Sequence, residues 1–139
     1  QITCTSFKKA LLDGEMDFSS NSAQTYKIAL YTNAATLNAA TTAYTTSNEA
    51  SGTGYVAGGK DLVISTTPTT YGTTAYVSFA AIVWPTSSIT ARGALIYQAG
   101  GGTPSVAVLD FGGDKVTSES DFRVTFPAAD ATNPIIRIA

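Results

Sequence analysis

From Tyr26 onward the chain alternates apolar and polar residues with a period of two, broken by turn residues at roughly the eight-to-twelve-residue spacing of sandwich folds. A two-residue period puts every second side chain on one face of an extended strand and cannot serve a 3.6-residue helix. Residues 26–31 open the pattern, with Tyr26, Ile28 and Leu30 on one face. Segments 62–65, 75–79 and 81–84 follow as β-branched or aromatic runs, punctuated by Pro68, Gly72 and Pro85. Segments 93–97 and 106–111 flank Gly100-Gly101-Gly102 and read as a hairpin. In 122–126, Phe122, Val124 and Phe126 point inward, and 135–138 closes the chain as a last strand. No alternation of strand and helix appears, which disfavours a parallel sheet. The expectation is an all-β fold, an antiparallel β-sandwich of jelly-roll character with seven or eight strands, spanning 1–139 as a single domain.

Two segments depart from the pattern. Residues 6–13 read as one short helix, with Ser6 as N-cap, Phe7, Ala10 and Leu11 on one face and Gly14 as terminator. Residues 33–59 are rich in Ala, Thr, Asn and Gly, with Leu37, Tyr44 and Tyr55 as apolar anchors. That is long for a structureless connection. Its composition lacks the charge of a disordered segment, so an ordered surface excursion is expected.

Charge limits the function. Charged residues make up 13% of the chain, about half of the usual ~25%. Neutral Thr-, Ser- and Ala-rich surfaces cost little to desolvate, which suits lasting burial against a protein partner. Lys8-Lys9 is the lone basic pair in a chain of net charge −2, so a phosphate-gripping nucleic-acid surface is not expected. No apolar run nears the ~20 residues of a membrane-spanning helix. The first residues read as those of a protein made and kept in the cytoplasm, without a secretory leader.

Catalysis is not expected either. The sequence has no histidine, which removes Ser-His-Asp and Cys-His chemistry and the usual proton shuttle. Cys4 is the single cysteine, so no disulfide within the chain and no zinc site are expected. Gly58-Gly59-Lys60-Asp61 lacks the length and the hydroxyl of a phosphate-binding loop. Asp110, Asp114, Glu119 and Asp121 form the best candidate acidic cluster, around an expected turn between two strands. A carboxylate-pair hydrolase or a Ca²⁺ site is conceivable there, but the pattern meets neither template and reads better as a solvated turn with Asx hydrogen bonds. Trp84 is either a stacking platform for a sugar or a core ring, and Ile82-Val83 before it favour the core. No cofactor is implied.

The candidates that remain are contact residues. Tyr44, Tyr55 and Tyr71 sit in Thr/Gly/Ser surroundings where tyrosine gives contact area at low entropic cost. Phe7 and Leu11 lie on the helix, and Arg92 calls for a carboxylate partner in this chain or the next.

Several stretches carry a resemblance. Phe7-Lys8-Lys9-Ala10-Leu11-Leu12-Asp13-Gly14 and Tyr26-Lys27-Ile28-Ala29-Leu30-Tyr31-Thr32 resemble the opening of small virion proteins of tailed bacteriophages. Asn48-Glu49-Ala50-Ser51-Gly52-Thr53-Gly54-Tyr55 with Ala57-Gly58-Gly59, and Ile89-Thr90-Ala91-Arg92-Gly93-Ala94-Leu95-Ile96-Tyr97 before Val106-Ala107-Val108-Leu109-Asp110-Phe111-Gly112, are similar to the same proteins. The resemblance spans nearly the whole chain and is most specific at Gly52-Thr53-Gly54-Tyr55 and Ala91-Arg92-Gly93-Ala94. It implies a virion structural protein without catalytic residues, made in the host cytoplasm. The leading expectation is a capsid decoration (cement) protein, a homo-oligomer expected as a trimer, whose partners are the major capsid protein and copies of itself. The alternative is a tail or receptor-binding module contacting host glycans; a secreted carbohydrate-binding module ranks third.

Overall fold

The computed structural model describes every residue except Ala129 and Ala131. The period-two segments become β2 (Thr25–Tyr31), β3 (Lys60–Leu62), β4 (Ile64–Tyr71), β5 (Thr74–Phe79), β6 (Ile82–Ser87), β7 (Thr90–Ala99), β8 (Ser105–Val116), β9 (Ser120–Val124) and β10 (Ile136–Ile138). A two-residue β1 (Ile2–Thr3) and helix α1 (Thr5–Leu12) precede them. Strand accounts for 47% of the chain and helix for 6%, giving the all-β, sandwich-like fold the alternation called for.

Every strand pairing is antiparallel. One sheet has the order β1-β8-β7-β2-β3, a second β10-β5-β4, and β6 with β9 makes a two-stranded ribbon. Directly opposed residues share a face, so Tyr26, Ile28 and Leu30 line up with Gln98, Ile96 and Ala94 of β7. That face looks inward. Tyr26 stacks on Phe18 at 4.3 Å, Phe18 meets Phe7 of α1 and Phe79 of β5 edge-on at 6.0 and 6.4 Å, and Phe79 reaches Phe126 at 5.7 Å. This run of rings ties the helix and the second sheet to the first, and such pairs stabilise beyond the area they bury.

Four local readings change. Cys4, not Ser6, is the N-cap of α1, and it makes no side-chain cap. Ser6 lies inside the helix, where its hydroxyl faces Thr41 O at 3.4 Å and Ser105 Oγ at 3.3 Å, tying α1 to the excursion. The expected strand 62–65 breaks at the exposed Val63. Pro68 does not end a strand: β4 runs through it at a sheet edge, with register shifts on either side of Thr66. An edge with an irregularity is where a strand tolerates a residue without an N–H. The acidic segment is not a turn, since Asp110 and Asp114 lie within β8, and the chain reverses only after Val116.

Candidate interaction surface

One carboxylate gathers the middle of the excursion. Glu49 Oε1 accepts from the Tyr55 hydroxyl at 2.6 Å and from Gly58 N–H at 2.7 Å, and Oε2 accepts from the Tyr44 hydroxyl at 2.7 Å. The Tyr55 oxygen also accepts from Leu30 N–H at 2.9 Å, and Ala50 N–H donates to Leu30 O at 2.8 Å. Beyond the end of β3, the excursion therefore takes over the outward hydrogen bonds of β2. Tyr44 stacks on Tyr97 of β7 at 4.7 Å, the Tyr97 hydroxyl donates to Gly58 O, and the Tyr31 hydroxyl donates to Thr45 O. Tyr31 and Tyr97 lie on the face opposite Tyr26, so this second face of the five-stranded sheet is covered by residues 33–59.

Two glycines permit the close fit. A Cβ on Gly59, whose φ is +70°, would lie 1.8 Å from Ile28 O, and one on Gly52 would lie 1.9 Å from Ser88 O. Any side chain there displaces backbone. Burial and the bonds to Glu49 push the hydroxyls of Tyr44 and Tyr55 well above the ordinary phenol range. Burial pushes Tyr31 up to about 12.

The expected contact residues separate sharply. Phe7 is 2% exposed and belongs to the core; its side chain offers nothing to a partner. Leu11 is partly buried against that core. Tyr44 and Tyr55 meet at Glu49, their hydroxyls already used within the chain. Arg92 finds its carboxylate in its own chain, its Nε lying 3.1 Å from Asp110 Oδ1. Tyr71 alone is largely free, 75% exposed at the tip of the β4–β5 hairpin.

That hairpin is the unusual surface. From Thr67 through Thr73 every residue is exposed, so both faces of the β4 side are bare. No charged residue occurs between Asp61 and Arg92, and the whole arm is threonine, serine, proline, alanine, glycine, tyrosine and buried apolar side chains. Edges exposed to water ordinarily carry charge, most often lysine. This one carries none.

The acidic group does not converge. Asp110 Oδ1 accepts from Gly112 N–H at 2.8 Å, the Asx bond read from sequence, and this bond with the Arg92 charge holds its carboxyl below the usual range. Asp121 accepts from Thr86 N–H at 3.3 Å. Among the described residues no three carboxylates or thiols gather as a metal site would require. Trp84 is 1% exposed, with Tyr55 and Phe122 against it and Lys60 Nζ 5.9 Å from its ring centre. It is a core ring. No helix among the described residues is long and apolar enough to cross a membrane.

Sequence reasoning passed over Glu49, although it is the sole charge between Lys27 and Lys60, with a tyrosine five residues before it and another six after. It also passed over the uncharged stretch that becomes the arm. Compared with known proteins, the chain matches no protein-family profile, no curated protein and no solved structure.

Proposed function

We propose that the chain is a structural subunit of a tailed-bacteriophage particle, a decoration protein that stabilises the head by packing against the major capsid protein and copies of itself. The observation that carries this reading is the projecting, charge-free β4–β5 arm with Tyr71 at its tip. A neutral threonine-rich surface gives up its water cheaply, and an exposed tyrosine supplies rigid contact area of the kind enriched at interfaces. The resemblance of 7–14, 26–32, 48–55, 57–59, 89–97 and 106–112 to small virion proteins points the same way. Attachment at many points of a rigid lattice, as a trimer at local three-fold positions, turns modest contacts into lasting ones. The glycan-binding alternative, expected to use Trp84 or loop tyrosines, loses Trp84, which is enclosed.

Heads purified from phage lacking this gene test the proposal. The expected result is heads that lose their DNA at lower temperature or milder osmotic shock, and wild-type particles with hundreds of copies of the chain. Heads of unchanged stability, or a handful of copies per particle, would overturn it.

A further inference from the structure

A hollow of about 340 Å³ lies where β2, β7 and β8 meet the start of the excursion. Tyr31, Gly93 and Asp110 stand side by side across those three strands and all line it. A Cβ on Gly93 would lie 2.5 Å from Leu109 O, so the middle position carries no side chain and the sheet is sunk there. Beside it the ladder is irregular. Ala91 pairs with Lys115 and Gly93 with Asp110, so Arg92 alone stands opposite residues 111–114 of β8. A bulge of this kind re-aims a side chain, and Arg92 turns to Asp110, its Nε 3.1 Å from Oδ1. Asn33, Ala35 and Leu37 of the excursion supply the remaining wall.

The groups in the hollow select its ligand. Asp110 Oδ1 is engaged by Gly112 N–H and Arg92. No hydrogen bond among the described residues uses Asp110 Oδ2, the terminal nitrogens of Arg92 or the Asn33 amide. A simple anion would gain the guanidinium but meet the carboxylate beside it, and a simple cation has the reverse difficulty. A neutral vicinal diol meets neither. One of its hydroxyls donates to the carboxylate while the other accepts from the guanidinium, and both bonds are charge-assisted. Ala35 and Leu37 give an aliphatic wall for the C–H face of a sugar ring. The volume is at the lower end of the ~300–1,000 Å³ of small-ligand sites, room for one pyranose ring. We infer that this hollow binds a neutral hexopyranose, with Asp110 and Arg92 holding a vicinal diol and Asn33 a third hydroxyl. Tyr31 is 1% exposed and offers no open ring face for stacking, so binding is weak, with a Kd of about 1 mM or above. The site shares no residue with the β4–β5 arm and adds a ligand to the proposed packing role without depending on it.

Amide NMR of the isotope-labelled chain, titrated with the methyl glycosides of glucose, galactose and mannose, tests this. The expected result is that at least one glycoside gives saturable shifts confined to the amides of 31–37, 92–93 and 108–112. Asp110→Asn keeps an oxygen acceptor for Gly112 N–H and removes the charge. That variant and Arg92→Gln should each weaken the binding at least tenfold while the other amides stay in place, and Tyr71→Ser should leave it unchanged. Sodium phosphate and glycine serve as the competing probes. Saturation of these amides by phosphate or glycine and by no glycoside would make the hollow an anion or zwitterion site and overturn the inference. So would the lack of any saturable shift with all three glycosides up to about 100 mM, a hundredfold above the expected lower bound. Either failure leaves the proposed function standing, because the stability of heads lacking the chain tests that separately.

Discussion

Residues 33–59 and the β4–β5 hairpin are alike in composition and opposite in fate. Both are rich in threonine and poor in charge, and both contain tyrosine. The first lies flat on the five-stranded sheet, held at Glu49, while the second extends into solvent. The difference comes from a few atoms. The excursion has one carboxylate able to accept three hydrogen bonds, two tyrosines spaced to reach it, and glycines that let backbone approach backbone. The arm has no carboxylate, and its tip tyrosine has no acceptor to close upon. Composition sets what a segment can do, and the partners within reach, Glu49 together with backbone groups of β2 and β8, decide which segment is tied down.

That comparison can be broken first at high pH. Tyr26, Tyr31, Tyr44, Tyr55 and Tyr97 all have raised pKa values, with burial as the leading cause. A raised folded-state value means the contribution is complete below the unfolded tyrosine pKa of about 10 and is lost as pH climbs through the folded values, near 12 for Tyr31. Stability should therefore fall steeply above pH 10, with several protons released per unfolding event. Urea midpoints from pH 8 to 11.5, read with tyrosinate absorbance, check this; a flat profile would contradict it. Gly59→Val comes next. A Cβ 1.8 Å from Ile28 O forces the excursion off β2, and the expected cost is about 3 kcal/mol or more by urea denaturation.

Glu49→Gln is milder. The amide nitrogen cannot accept, so at least one donor among Tyr44, Tyr55 and Gly58 loses its partner, at a cost of about 1.5–3 kcal/mol. Proteolysis should begin within 33–59 in this variant and nowhere in the arm that was not already cut. Tyr71→Ser should change stability least, within about 0.5 kcal/mol, because an exposed tip residue supports little of the fold. It should instead remove association, measured by sedimentation.

How much of the molecule is open to sequence reading follows from range. Alternation is local, so Phe122, Val124 and the inward side chains of β2 are legible in the sequence itself, as is the burial of Trp84 from its apolar neighbours. The ordering of 33–59 is legible as well, from its low charge. What holds it is not, because Tyr55 meets Leu30 and Tyr97 meets Gly58 across 25 and 39 residues, and no short window reports such pairs. Arg92 reads as needing a carboxylate, and only the β7–β8 pairing of Gly93 with Asp110 shows which one. Pro68 misleads for the opposite reason: a local rule for strand breaking gives way to a register shift at an edge. Phe7 and Tyr55 look like contact residues in the sequence because exposure depends on what covers a position, and the covering segments are distant along the chain.

The central claim is that the excursion is tied to its own chain and that the arm is the proposed contact. Hydrogen exchange on the free chain and on the chain bound to phage heads tests it directly. Amides of 44–59 should already be protected in the free protein and change little, while those of 66–76 should gain protection only on binding. Protection gained in the excursion, with the arm left as it was, would contradict the account.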